Sequence, residues 1–147
     1  MDELRFIGKI HTPYQTRAEA PRQGRLTDIT STIEIFEEYA AGLEDIDEST
    51  HLYILYWLHL SERDTLTANP PGDGRTRGVF ATRSPNRPNP IGLTAVELVG
   101  RDGRFLEVRA LDCLDGTPLL DIKPYSAKID SHPDARIGWL RDEDLKR

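Results

Sequence analysis

The 147-residue sequence predicts a mainly β, single-domain protein, a small antiparallel barrel or sandwich with short helical turns. Three observations predict it. Short runs rich in Val, Ile, Tyr, Phe and Thr recur along the chain. Turn signals built on Gly, Pro and Asp separate them at the spacing of a small all-β fold. One run, His51 to Leu60, is almost unbroken in apolar and aromatic character.

The elements follow in order. Leu4 to His11 reads as a first strand stopped by Thr12-Pro13, and Thr16 to Leu26, broken by Pro21 and Gly24, as a long loop. Thr32-Ile33-Glu34-Ile35 alternates like a half-buried strand before a helical turn that ends at Gly42; a helix through Ile33, Phe36, Ala40 and Leu43 fits as well. His51 to Leu60 shows no polar face, which predicts a core strand covered on both sides. Ser61 to Gly74 is a polar loop around Pro70-Pro71-Gly72, and Thr76 to Thr82 a short strand centred on Val79-Phe80. Leu93 to Val99 and Phe105 to Leu111 form a hairpin across Gly100-Arg101-Asp102-Gly103. Asp115 to Pro118 turns before a strand at Leu119 to Ile122, and Ile137 to Leu140 docks as a last piece after an irregular stretch. Neither an internal repeat nor a linker divides the chain, so residues 1–147 are read as one domain.

Composition excludes several classes. With 37% hydrophobic and 30% charged residues the chain is globular rather than disordered. It has no 18-residue apolar run to span a membrane and no apolar signal region at Met1–Arg5, so the expectation is cytoplasmic. The single cysteine, Cys113, cannot form an internal disulfide, and it reads as a small core residue at a strand end rather than a nucleophile. The four scattered histidines give no metal-ligand spacing, so no metal is expected. P-loop and GxGxxG motifs are missing too. The net charge of −6 argues against indiscriminate nucleic-acid binding. Its distribution is uneven: Asp28 to Glu48 holds eight acids and no Lys or Arg, whereas Arg75 to Arg87 holds four arginines and no acid.

Arg83-Ser84-Pro85-Asn86-Arg87-Pro88-Asn89-Pro90-Ile91-Gly92-Leu93 is the most informative stretch. Its three prolines remove three backbone donors and fix φ, so the segment is a stiff loop rather than helix interior or central strand. Two arginines and two asparagines place many donors on a frame with little entropy left to lose, as in a ligand clamp. Pro21-Arg22-Gln23 sets a cation and an amide behind a rigid residue. His59 closes the aromatic strand, where it reads as a satisfied strand-end residue or as the edge of a pocket. Asp121 and Lys123 share one strand face while Ile122 takes the other, and the Tyr125 hydroxyl follows. That trio reads either as convergent chemistry or as an ion pair at a strand end.

Together these segments resemble the TrmO/TsaA-like (YaeB-type) family. The matching pieces are Ile7 through Tyr14, Pro21-Arg22-Gln23, Gly78 through Leu93, and Leu114 through Tyr125, in the family's order and spread over residues 5–130. The resemblance implies a β-barrel and an S-adenosyl-L-methionine-dependent methyltransferase. It further implies that the acceptor is the exocyclic nitrogen of threonylcarbamoyl-modified adenosine beside the tRNA anticodon, and that the protein is a homodimer with its site near the interface. By resemblance the cofactor-binding residues are Pro21, Arg22, Gln23, His59, Leu60, Arg83, Leu93, Leu114, Asp115 and Gly116, the His59-Leu60 match being the loosest. For the catalytic step the candidates are Asp121 as proton acceptor, Lys123 as its tuning or substrate-binding partner, and Tyr125 as a positioning hydroxyl. A binding protein for the methyl donor, or an enzyme of the same fold with another substrate, is the alternative. Longer family members carry an additional C-terminal domain, and this chain ends at Arg147.

Overall fold

The computed structural model describes residues 2–20, 28–70, 72 and 74–140. Six strands close into a barrel in the order β1 (Gly8–His11), β2 (Thr30–Ile35), β7 (Phe105–Arg109), β6 (Ile91–Asp102), β3 (His51–Trp57) and β8 (Thr117–Pro124), which returns to β1. Every pairing in the barrel is antiparallel, and closure leaves no barrel strand with a free edge. A two-stranded ribbon, β4 (Thr67–Ala68) with β5 (Arg77–Gly78), stands outside it. The short helix α1 (Ala127–Asp130) follows β8.

The barrel is held by alternation. Ile10, Ile33, Ile35, Leu52, Ile54, Val96, Leu106, Val108 and Leu119 point inward and are at most 2% exposed. Burying each such side chain stabilises the fold by about 1.5–3 kcal/mol. The β2 segment is a strand, followed by a 3-10 turn at Glu37–Leu43 whose Leu43 plugs that end of the barrel. The alternative of a helix through Ile33 therefore falls: Ile33 and Ile35 share the inward face at a period of two.

Several boundaries differ from the sequence reading. The first strand begins at Gly8 rather than Leu4, β7 ends at Arg109 rather than Leu111, and the loop from Ser61 to Gly74 contains β4. The aromatic strand ends at Trp57, and only Leu52, Ile54 and Tyr56 are buried; Tyr53, Leu55 and Trp57 are half-buried on the outer wall, because a barrel has one dry face and one wet one. Val79–Ala81 is a 3-10 turn rather than a strand centre, with β5 confined to Arg77–Gly78. The hairpin turn is the two residues Gly103-Arg104, since Gly100 to Asp102 are still paired to β7 beyond a bulge at Val99. Finally, β8 starts at Thr117 rather than Leu119. Pro118 is accommodated there opposite Lys9, and the turn is left to Asp115-Gly116, where Gly116 takes φ +84° at no steric cost.

A second bulge matters more for the site. On β8 the register against β3 steps from Leu119↔Tyr56 to Asp121↔Leu55, leaving Leu120 as the extra residue. The face therefore flips: Leu119 points into the barrel, yet Asp121 and Lys123, at the same parity, point out beside Leu55 and Tyr53. Ile122 pairs with Ile54 and packs against the core.

Candidate functional site

The proline loop folds across one mouth of the barrel, and its own polar groups hold it there. The Arg87 Nη1 donates to the carbonyls of Thr82 and Ser84, both at 3.0 Å. The Glu62 N–H donates to Asn86 Oδ1 at 3.0 Å. From the facing loop, the Arg63 Nε donates to the Pro88 carbonyl at 2.8 Å and its Nη2 to Asn89 Oδ1 at 3.2 Å, while its guanidinium lies 5.0 Å from the centre of the Trp57 ring. Of the clamp's donors, those of Arg87 are thus partly spent on the loop itself. Arg83 is exposed, with one contact, Nη2 to the Leu93 carbonyl at 3.3 Å.

Beneath the loop lies a cavity of about 740 Å³. It is bounded by the barrel end (Tyr56, Asp112, Cys113, Leu114, Thr117), by the strand-end segment Leu58 to Ser61, and by the elbow from Thr82 to Leu93. Arg17, Arg83 and Arg87 bring cations to its wall, and Asp112 brings the one carboxylate among the lining residues described. At the floor the Tyr56 hydroxyl donates to Asp112 Oδ1 at 2.6 Å and meets Thr94 Oγ1 at 2.8 Å. Burial, with the Asp112 carboxylate beside it, pushes the Tyr56 phenol well above its ordinary range, so it stays a proton donor. Burial likewise pushes the Cys113 thiol up to about 12; a neutral wall residue is not a nucleophile.

Gly92 explains itself here. A Cβ on it would sit 2.1 Å from the Tyr56 ring, so the glycine of the proline loop is what lets that ring lie flat against β6.

The structure gathers some expected site residues and not others. His59, Leu60, Arg83, Leu93 and Leu114 line the cavity. Asp115 and Gly116 shape the turn between Leu114 and Thr117: the Thr12 N–H donates to Asp115 Oδ1 at 3.0 Å, with His11 Nδ1 3.8 Å from the same oxygen. Pro21, Arg22 and Gln23 lie outside the described residues, although Arg17 and Ala20, just before them, line the cavity. Asp121, Lys123 and Tyr125 stand on the outer wall, clear of the cavity lining. Asp121 Oδ1 accepts from the Ile122 N–H, and the Tyr125 ring meets Tyr53 edge-on at 5.2 Å. Leu93, Leu55 and Asp121 form one row across β6, β3 and β8, which places Asp121 about 10 Å, two strand spacings, from the cavity rim.

Sequence reasoning missed Asp112 and Tyr56. In sequence Tyr56 is only one member of an apolar run, and Asp112 has no motif of its own. An acid just before a presumed core cysteine was the available signal.

Among the described residues no group of three or more His, Cys, Asp or Glu could hold a metal ion, and no helix is long and apolar enough to cross a membrane.

Comparison with known proteins places this architecture. Residues 9–131 match the family model of the tRNA-methyltransferase O N-terminal domain. Two relatives come from Archaeoglobus fulgidus. One, a probable S-adenosyl-L-methionine-binding protein, is 56% identical over 95% of this chain and 38% of its own length. The other, an S-adenosyl-L-methionine-binding protein, is 51% identical over 86% of this chain and 91% of its own. The tRNA (adenine(37)-N6)-methyltransferase of Escherichia coli is 38% identical over 92% of this chain and 62% of its length. The crystal structure of TrmO from Pseudomonas aeruginosa superposes with a TM-score of 0.79 at 33% identity, covering 96% of this chain and 63% of that one. The chain therefore spans less than two thirds of three of these four proteins.

Proposed function

The chain belongs to the tRNA-methyltransferase O N-terminal domain family, and from that premise we propose that its elbow cavity holds S-adenosyl-L-methionine for methylation of an adenine's exocyclic nitrogen in a tRNA anticodon loop. The finer acceptor we propose is the threonylcarbamoyl-modified adenosine beside the anticodon. One observation carries the reading. A cavity of cofactor size has an exposed arginine at its mouth and a carboxylate on its floor, matching a ligand with a carboxylate at one point and cationic centres at others.

The residues fit that ligand. Arg83 would pair with the carboxylate through a charge-assisted contact of about 1.5–3 kcal/mol. Asp112, held by the Tyr56 hydroxyl, would face the ammonium or sulfonium end. His59, Leu60, Leu93 and Leu114 offer flat and apolar wall for the base, with Asp115 and Gly116 setting the turn behind Leu114, and Pro21, Arg22 and Gln23 completing the site as the family pattern implies. When bound, the donor supplies a methyl group on a sulfonium. The chain's task is alignment and removal of one proton from the accepting nitrogen. Asp121 takes that proton, Lys123 holds the substrate carboxylate, and Tyr125 positions. Within one chain Asp121 stands about 10 Å from the cavity rim, too far for direct proton transfer, so this assignment goes with the homodimer, in which a second copy would bring its outer wall to the cavity mouth. Exposed Ile91 and Leu93 on the same wall suit the homodimer we propose, in which a second copy walls the site. A cytoplasmic setting goes with a tRNA substrate.

The test is calorimetric titration with S-adenosyl-L-methionine followed by single-turnover transfer of labelled methyl to modified tRNA. Arg83→Ala should weaken donor binding roughly 10- to 150-fold. Asp121→Asn should leave donor binding intact and slow transfer; an unchanged rate removes Asp121 as the base. The second reading is a donor-binding protein without transfer, favoured by the Archaeoglobus relative of nearly this length that is named for binding alone. Tight donor binding with no label in any tRNA would establish it.

A further inference from the structure

Beside the elbow, outside the cavity, stands a feature that donor binding does not use. Phe80, at the centre of the 3-10 turn Val79–Ala81, is 81% exposed, the most exposed large hydrophobic side chain among the described residues. A phenyl ring in water gains nothing for the fold, and its neighbours in sequence show no need for it: Val79 makes the core contact at 1% exposure. Its own stretch of chain is cationic. From residue 74 to residue 96 the chain holds Arg75, Arg77, Arg83 and Arg87 and no acid. A second aromatic docks on the same turn, since the Trp139 Nε1–H donates to the Ala81 carbonyl at 3.2 Å, and the Arg77 guanidinium lies 5.1 Å from the centre of the Trp139 ring. The turn is also pinned. The Val79 N–H donates to the Leu66 carbonyl at 2.9 Å, and the Thr82 hydroxyl and N–H both donate back to the Val79 carbonyl, at 3.0 and 3.1 Å. The ring is therefore presented on a rigid mount, with the donor-facing Arg83 three residues away.

We propose that Phe80 is a stacking platform for an unpaired base of the RNA strand, with Arg75 and Arg77 contacting its phosphates, and that it fixes the anticodon loop so that the neighbouring adenine reaches the cavity mouth. A flat apolar face among arginines is the chemistry that single-stranded nucleic acid selects: every base has a π-face, and the backbone supplies the anions. A protein partner would select the aromatic without needing an arginine-rich stretch beside it. The inference rests on the proposed RNA substrate and names the residue that holds it.

The experiment uses the full chain with a modified anticodon stem-loop RNA, and reads RNA affinity by fluorescence anisotropy across a salt series, donor affinity by calorimetry, and mass by sedimentation. Phe80→Ala should weaken RNA binding about 5- to 150-fold, the range for one lost base stack, with the salt slope, donor affinity and mass unchanged. Phe80→Trp should restore affinity, and its emission should be quenched by the RNA beyond the response of the native tryptophans. Arg75→Ala should instead flatten the salt slope by about 0.7, the value for one phosphate contact to a single strand. Phe80→Ala with RNA affinity within twofold of the parent overturns the proposal. So does a fall in mass, which would mean that a second copy covers the ring. RNA binding that depends on Phe80 without any methyl transfer defeats the proposed function and leaves the platform standing; transfer to tRNA that ignores Phe80 does the reverse.

Discussion

Replacing Gly92 by alanine tests the geometry of the cavity floor without removing any charged or hydrogen-bonding side chain from its lining. The added Cβ would lie 2.1 Å from Tyr56 Cε2 and 2.5 Å from two further ring atoms, so something must shift. The ring cannot yield cheaply. It is 3% exposed, and its hydroxyl is tied to Asp112 at 2.6 Å and to Thr94 at 2.8 Å. Displacing it forfeits one hydrogen bond to a charged group, about 1.5–3 kcal/mol, and one neutral bond, about 0.5–1.5 kcal/mol. The other route is to shift β6, whose residues 91 to 97 are paired continuously with β3. The expected loss is therefore about 2–4 kcal/mol, or a fall in Tm of roughly 4–16 °C for a chain of this size. Urea and thermal unfolding measure it, and donor titration should show weaker binding because Asp112 loses its orienting partner. The cause is isolated by a double-mutant cycle with Tyr56→Ala, which clears the space: in that background Gly92→Ala should cost less than about 0.5 kcal/mol. A single mutant whose Tm lies within 2 °C of the parent would refute the close packing on which the floor depends. A cycle with no coupling would refute the assignment to Tyr56.

Further outcomes follow from the same contacts. Gly8→Ala should be more damaging than Gly92→Ala, because its Cβ would meet the Glu34 carbonyl oxygen at 2.0 Å, a backbone atom on the paired strand; loss of cooperative unfolding or of soluble protein is the readout. Arg63→Ala, which removes two hydrogen bonds to the elbow, should lower donor affinity several-fold at nearly unchanged Tm, since it loosens the loop and not the barrel. Cys113, with its folded pKa about 12 against 9 unfolded, should resist a thiol reagent at pH 8 and react on denaturation. The sign for stability is that of an acid kept neutral by folding: its contribution is complete below pH 9 and is lost as pH rises towards 12, so Cys113→Ala should flatten the alkaline limb of the unfolding curve.

Much of the barrel was legible because its physics is local. Ile33 and Ile35 alternate, Leu52, Ile54 and Tyr56 recur at a period of two, and Gly and Pro punctuate the runs. The proline loop declared its stiffness, and the family resemblance, carried by this and other segments, marked His59, Leu60, Arg83, Leu93 and Leu114, which the fold does bring to one cavity. The strand-end errors were also local in origin. Pro118 resembles a turn residue until a partner strand that needs no donor there is known, and a half-wet barrel wall of Tyr53, Leu55 and Trp57 has the same composition as a dry one.

By itself, then, the chain determined its class, most of its barrel strands and the stiff loop that carries Arg83, because propensity, alternation and ring constraint act over a few residues. Only the tertiary structure decided which polar groups remain for a ligand. Arg87, Asn86 and Asn89 are committed to holding the elbow, partners 3 to 26 positions away. Asp112 reaches the floor because Tyr56, 56 positions off in sequence, needs an acceptor there. The bulge at Leu120 turns Asp121 and Lys123 to the outer wall, and it arises from fitting β8 between β1 and β3 as the sheet closes. Closure is a condition on all six strands at once, so no window of sequence contains it.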